Sequence, residues 1–178
     1  MFLNRFPRLH LAQLPTPLER AVRLQAQLGG PTILIKRDDL TGLALGGNKL
    51  RKLEFIMADV LVQGADTVIT TGGVQSNHAR LTAAVARRLD LHPVLVLTGD
   101  EPEVYEGNLL LDRLLGAEMR FLPETAGKVS DAEVEQAMEA AAAELRAAGK
   151  RPYIIPLGGS VPLGVLGYIG CMLEVAAQ

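Results

Sequence analysis

The sequence predicts an α/β fold of parallel sheets with helices on both faces. Three observations carry this. Apolar residues recur in short runs and, between those runs, at helical spacing. The two patterns alternate along most of the chain, strand then helix, as βαβ units require. Glycine pairs, Gly72-Gly73 and Gly158-Gly159, stand where a strand must turn into a helix.

In order, residues 32–36 read as a strand. Residues 48–63 read as a helix with Leu50, Leu53, Ile56, Met57 and Val60 on one face. Residues 66–71 form a strand that ends at Gly72-Gly73, 76–89 a helix, and 93–98 a strand. A helix over 107–115 and a strand over 117–122 follow. Residues 130–149 form a long Ala/Glu-rich amphipathic helix, opened by the capping box of Ser130 with Glu133 and closed at Gly149. Residues 152–156 are a strand and 163–177 a helix. Gly164, Gly167 and Gly170 fall every three residues along that helix, which predicts close helix packing.

Right-handed crossovers bring helix N-termini and strand C-termini to one rim, where ligands bind in such sheets. The last helix runs to Gln178 without a glycine, proline or polar stop, and its apolar face lacks a partner. The fold is therefore expected to be truncated on its C-terminal side. The stretch 152–173 carries no charged side chain and has the length of a membrane span. Pro152, Pro156, Pro162 and its glycines break it, so a strand, a turn and a buried helix are expected.

Composition narrows the function. At about 100–200 residues per domain, 178 residues make one domain or one and a fraction. A hydrophobic share of 48% with 21% charged residues excludes bulk disorder. Eighteen basic against twenty acidic residues, net −2, leave no basic footprint for nucleic acid or an anionic membrane. Aromatics are 4% and Trp is absent, which argues against a base-stacking surface. The single cysteine, Cys171, allows neither an intramolecular disulfide nor a cysteine-based zinc site, and fits a reducing compartment. Arg5, Pro7, Arg8 and His10 interrupt the first fifteen residues, so no signal peptide is expected.

Three segments could carry chemistry. In Gly46-Gly47-Asn48-Lys49, Asn48 suits an N-cap and Lys49 falls in the first helical turn. The helix dipole there disfavours a cation, and Lys52 on nearly the same face adds a second one; both favour the neutral amine that Schiff-base chemistry needs. The same spacing also suits a solvated basic helix start with Lys49 on the surface, which is the commoner arrangement. In Gly72-Gly73-Val74-Gln75-Ser76-Asn77-His78, backbone N–H groups at a strand–turn–helix junction can bind an anion. Ser76 could equally be a plain cap. A Ser76–His78 hydrolase dyad is disfavoured, because residues two apart on a helix diverge and no nucleophile-elbow motif is present. Pro156-Leu157-Gly158-Gly159-Ser160 is a third such turn, and no dinucleotide fingerprint matches it. His10, His78 and His92 lack metal-ligand spacing. His10 is expected at the surface, His92 in a structural role, and Asp38-Asp39 in a turn rather than a metal pair. Tyr105 suits either the rim or packing.

These segments together resemble the D-cysteine desulfhydrase and 1-aminocyclopropane-1-carboxylate deaminase family of pyridoxal-phosphate enzymes. The resemblance runs through Leu14-Pro-Thr-Pro-Leu18, Ile35-Lys-Arg-Asp-Asp39 and Gly46-Gly-Asn-Lys-Leu-Arg-Lys-Leu-Glu54. It continues through Gln75-Ser-Asn-His78, Gly107-Asn-Leu-Leu-Leu-Asp112, Pro156-Leu-Gly-Gly-Ser160 and Leu163-Gly-Val-Leu-Gly-Tyr168. It implies a two-domain fold like that of tryptophan synthase β, with 1–47 and 157–178 as pieces of the larger domain around a smaller domain at 48–156. By the same resemblance Lys49 is the Schiff-base lysine, Lys52 helps hold the cofactor phosphate, and Asn77 hydrogen-bonds the cofactor ring oxygen. Gln75, Ser76, Asn77 and His78 surround the substrate, with Ser76 as a proton-transfer candidate. No metal is implied.

The implied activity is β-elimination on a small amino acid, D-cysteine first, in a cytoplasmic homodimer. The α-proton is lost, the β-substituent leaves, and hydrolysis gives pyruvate and ammonia. The segment 158–168 looks more like the desulfhydrases, departing at Val161 where Asn is expected. A cyclopropane-opening deaminase and a cysteate sulfo-lyase are the alternatives within the family. A catalytically silent fragment is the alternative of another class, and a nucleotide-binding domain a remote one. The family pattern runs on past residue 178, so the phosphate loop and the partner of the pyridine nitrogen have no counterpart to name.

Overall fold

Val68 and Thr70 point to one face of a strand, and Ile69 and Thr71 to the other. That strand, buried on both sides, is the centre of the fold in the computed structural model, which describes residues 2–124 and 129–178. It is β3 (Thr67–Gly73), flanked by β4 (His92–Thr98) and β6 (Pro152–Ile155), with β5 (Glu118–Leu122) outside β4. All pairings are parallel, in the order β5-β4-β3-β6.

The intervening helices cover both faces, as the strand–helix alternation predicts. On one side lie α2 (Lys49–Val62), α3 (Asn77–Arg88) and α4 (Gly107–Leu114). Leu50, Leu53, Ile56, Met57 and Val60 of α2 meet Val68 and Ile155 of the sheet and Leu81 and Val85 of α3. On the other side, α5 (Asp131–Ala147) packs Val134, Met138, Ala141 and Ala142 on Ile69, Val94 and Val96. Its start is the capping box of Ser130 with Glu133. At its end Gly149 takes φ +78°, its N–H donates to Arg146 O, and Lys150 N–H donates to Leu145 O, a Schellman closure.

The uncharged stretch that begins at Pro152 divides as expected into β6, a 3-10 turn at Leu157–Gly159 and α6 (Pro162–Ala177). Among the described residues, no helix is long and apolar enough to cross a membrane. Of the three spaced glycines of α6, two are closely packed. A Cβ on Gly167 would stand 2.1 Å from Arg51 O of α2, and one on Gly164 would stand 2.4 Å from Gly159 O of the preceding turn, whereas one on Gly170 would meet only Leu3 Cδ1 at 3.7 Å. At Gly167 the two helix backbones touch, which no larger residue allows.

Two N-terminal elements go beyond the sequence reading. Strand β1 (Leu18–Arg20) pairs antiparallel with β2 (Leu34–Lys36), and α1 (Val22–Leu28) connects them. Helix α1 buries none of its residues and has no side-chain cap, so it carries neither of the signals by which a helix is recognised. The leading segment is tied down by Glu54 of α2. Its carboxylate accepts from Leu11 N and Ala12 N at 2.8 Å each, and from Arg8 Nη2 at 2.6 Å.

One local expectation is corrected. Asn48 does not cap α2: its backbone is already helical (φ −60°, ψ −21°) and its side chain makes no cap bond. Its Nδ2 donates instead to Tyr168 Oη of α6 at 2.6 Å. The turn ahead of the helix is held by Thr41, whose hydroxyl accepts from Gly47 N at 2.8 Å.

Candidate active site

Each of the three candidate segments enters the N-terminus of a helix. Gly46-Gly47 leads into α2, residues 74–76 connect β3 to α3, and the turn after β6 leads into α6. Gly46 and Gly47 have φ of +68° and +133°, and a Cβ on Gly46 would overlap Asp39 O at 2.1 Å, so the approach to Lys49 requires glycine. Ala44 and Leu45 just before them also lie in the left-handed region (φ +44° and +68°), a costly conformation for residues with a Cβ.

The structure brings Lys49 and Lys52 together at the turn after β6. A Cβ on Gly158 would stand 3.9 Å from Lys49 Cε. Lys49 Nζ donates to Asn48 Oδ1 at 3.4 Å. One turn on, Lys52 Nζ donates to Gly158 O at 2.9 Å and to Ser160 Oγ at 3.1 Å, and stands 5.7 Å from the centre of the Tyr168 ring. Burial lowers the Lys52 amine from its ordinary value, and the charge of Lys49 lowers it further. The lysine pair read from the spacing is thus electrostatically coupled.

Gln75, Ser76 and Asn77 gather at the start of α3. Ser76 caps the helix, its Oγ accepting from Ala79 N at 3.2 Å. Gly72 makes room for it, since a Cβ there would lie 2.3 Å from Ser76 Oγ. Gln75 reaches across to the start of α4: its Oε1 accepts from Asn108 N at 2.8 Å and its Nε2 donates to Glu106 O at 3.1 Å.

Asn77 Oδ1 accepts from Arg80 Nη2 and from Asn108 Nδ2, both at 3.0 Å. A guanidinium only donates, so the atom facing it is the amide oxygen. The Asn77 NH2 therefore points the other way, on an exposed residue, as a donor for an oxygen-bearing ligand.

His78 is placed elsewhere. It is 3% exposed and turns inward from α3 to Thr70 of β3, with Nε2 3.0 Å from Thr70 Oγ1. The Thr70 hydroxyl proton goes to Ile155 O at 2.8 Å, so His78 Nε2 must carry the proton of the ring, and Nδ1 is a bare lone pair without a hydrogen-bond partner. Burial, then the charges of Lys49 and Lys52, push the imidazole down to about 4. The neighbouring Pro156 carbonyl acts the other way and raises it, but by less.

The sequence reading missed Arg80, Asn108 and Asp112. Arg80 is 4% exposed and Asp112 1% exposed. Burial pushes the Asp112 carboxyl up to about 7, against the charge of Arg80. The available signal was an arginine amid the apolar run Ala79–Val85, a place where a charge persists only when it is partnered.

The remaining residues singled out in the sequence are placed as follows. His10 is exposed, and His92 pairs with Glu118 at 3.1 Å. Asp39 ion-pairs with Arg37 and Asp38 with Arg51. Tyr105 packs on Phe121, with Arg113 over its ring.

These groups suit a ligand with an aldehyde, an oxyanion and a phosphate: an amine at Lys49, an outward amide donor at Asn77 and a second cation at Lys52. A cavity of about 400 Å³ opens at the strand ends on the α5 side of the sheet, lined by Gly72, Gly73, Thr98, Val134, Met138 and Leu157, and neither the lysine pair nor Asn77 lines it.

Comparison with known proteins agrees. Residues 9–178 match the family described as pyridoxal-phosphate dependent enzyme. The chain is 50% identical over 181 residues to the D-cysteine desulfhydrase of Klebsiella pneumoniae, covering 99% of this chain and 53% of that protein. It is 48% identical over 176 residues to a putative 1-aminocyclopropane-1-carboxylate deaminase of Pyrococcus abyssi, covering 99% and 51%. A crystal structure of an ACC deaminase homologue superposes with a TM-score of 0.90 at 44% identity, over 99% of this chain and 52% of that one. A threonine deaminase from T.th., at 23% identity and a TM-score of 0.66 over 92% of this chain and 46% of that one, shares the fold. The chain spans about half the length of these relatives. Motifs, fold and family match converge: this chain belongs to the pyridoxal-phosphate-dependent enzymes.

Proposed function

We propose that the chain serves a pyridoxal-phosphate-dependent β-elimination that converts D-cysteine and water to pyruvate, hydrogen sulfide and ammonia. The observation that carries the reading is the pairing of a lysine couple at the start of α2 with the outward amide donor of Asn77. The desulfhydrase relatives, at 48–50% identity, and the resemblance over 158–168 support D-cysteine as substrate. The cytoplasm and a homodimer are part of the same proposal, as is the division into a smaller domain at 48–156 and larger-domain pieces at 1–47 and 157–178.

When bound, pyridoxal phosphate supplies an electron sink for the bond-breaking at the substrate α-carbon. Lys49 provides the amine that would hold it. Lys52, drawn toward Gly158 O and Ser160 Oγ, would sit against its phosphate. Asn77 would donate to its ring oxygen. The N–H groups at the start of α3 would receive the substrate carboxylate, with Gln75 fixing that turn against α4. Ser76 Oγ accepts from Ala79 N and retains its own proton, so it can pass a proton at the rim. His78 backs this wall from within the core, as a neutral ring bonded to Thr70.

A second reading, ring-opening deamination of the cyclopropane amino acid, is favoured by the Pyrococcus relative and the ACC deaminase homologue. The test is to supply the chain and pyridoxal phosphate with D-cysteine, L-cysteine, cysteate and the cyclopropane amino acid in parallel. Equimolar sulfide and pyruvate from D-cysteine are expected. Ammonia from the cyclopropane substrate, with no sulfide from either cysteine, would replace the first reading by the second.

A further inference from the structure

We propose that Arg80 is the positioning residue of this site: its guanidinium fixes which way the Asn77 amide faces and locks the strained loop ahead of Lys49. The inference rests on the functional reading above for its consequence and on geometry for its substance.

Arg80 sits on α3, buried, and its fork reaches three separate segments. Nη2 donates to Asn77 Oδ1 at 3.0 Å, and Nε donates to Asn108 Oδ1 at 3.1 Å. Nη1 donates to Ala44 O and, at 3.1 Å, to Gly46 O. The second group of bonds falls on the residues with unfavourable backbone. Ala44 and Leu45 are left-handed without being glycine, and Gly46 is pressed against Asp39 O. Such a conformation persists only where the surroundings over-determine it, and Arg80 is the side chain that grips its carbonyls.

The first group of bonds decides the chemistry of Asn77. Without a pure donor on its oxygen, the Asn77 amide could rotate by half a turn and present its oxygen outward. It would then repel a ligand oxyanion instead of binding it. Arg80 removes that choice. Asn108 reinforces it, donating to Asn77 Oδ1 with the same amide whose oxygen Arg80 holds. One planar fork thus couples the ring-oxygen donor to the loop that delivers Lys49. A lysine cannot replace it, because a single ammonium lacks the fixed divergent donors.

The test uses the whole chain, with Arg80→Met and Arg80→Lys. The first readout needs no cofactor: amide hydrogen exchange at Gly46 and Gly47, whose N–H groups bond Leu43 O and Asp38 O. Exchange there is expected to rise at least about tenfold in both variants, the scale of one lost hydrogen bond, while amides of Val94–Leu97 stay unchanged. Unchanged exchange at Gly46 and Gly47 would overturn the proposal. If Arg80→Met does not fold, Arg80→Lys decides alone.

The second readout is the dissociation constant of pyridoxal phosphate from absorbance titration, in the wild type, Arg80→Lys, Asn77→Ala and the double variant. Arg80→Lys is expected to weaken binding about tenfold in the wild-type background and by clearly less once Asn77 is gone, the remainder being the share of the loop. Additive effects would overturn the role through Asn77. Faster exchange in the variants, together with a wild-type chain that takes up no pyridoxal phosphate, would sink the functional reading and leave the loop lock standing.

Discussion

Replacing Arg51 with methionine is expected to lower the unfolding free energy by about 3–5 kcal/mol, the usual loss when one partner of a buried ionic network is removed. Arg51 is 1% exposed. Its Nε and Nη2 hold both oxygens of Asp38 at 2.8 and 2.9 Å, and its Nη1 and Nη2 hold both oxygens of Glu174 at 2.9 Å each. Nη2 also donates to Thr16 Oγ1 at 3.0 Å. The network joins α2, the N-terminal segment and α6. Burial pushes Glu174 up, yet the hydrogen bonds from Arg51 and Lys36 outweigh it and hold the carboxyl at about 2. Methionine would fill much of the space and leave two acids facing one another beside Lys36 alone. Urea unfolding measures the loss. Adding Glu174→Gln to Arg51→Met is expected to return part of it, because one stranded charge is then gone. A loss below about 1 kcal/mol in the single variant would show that the network is no more than a surface ion pair.

The second large effect is on acid stability. His78 titrates near 4 in the fold against 6.5 in an unfolded chain. A base with a lowered folded value stabilises the fold fully above about pH 6.5, and that contribution disappears as pH falls through 4. The shift is worth on the order of 3 kcal/mol. Asp112, raised to about 7, runs the other way: its contribution is full below its unfolded value of 3.8 and is lost as pH rises through 7. The difference between two proteins therefore isolates His78. His78→Gln keeps a partner for Thr70 and cannot charge. Between pH 6.5 and 4 the wild type is expected to lose about 3 kcal/mol more than the variant. Parallel curves would mean that the buried ring is not held neutral by the lysines and the core.

Much of this architecture is written in local sequence pattern. The five helices and five strands read between residue 32 and the C-terminus recur within a few residues, because each pairs an apolar run with a cap, a glycine or a period that points one way. Ser76, Ser130 and Gly149 act as their positions foretell. What failed was non-local. Asn48 has the right chemistry for a cap, but a phenol more than a hundred residues away takes its amide. His78 lies beside Ser76 and Asn77 in sequence, yet helical rotation sends it into the core. Arg80, Asp112 and Arg51 are charged residues on apolar faces, and the groups that account for them, the Ala44–Gly46 loop and Asn108 for Arg80, the Arg80 charge for Asp112, and Asp38 and Glu174 for Arg51, come from other elements of the chain. Helix α1 escaped notice because nothing packs on it strongly enough to leave a period.

The claim on which the account turns is that Lys49 is the residue that takes the cofactor. The direct measurement is borohydride reduction of the chain after incubation with pyridoxal phosphate, followed by peptide mapping. A single pyridoxyl group on Lys49, absent from Lys49→Ala, is the expected result. A label centred on Lys52, or spread over surface lysines such as Lys150, would contradict it.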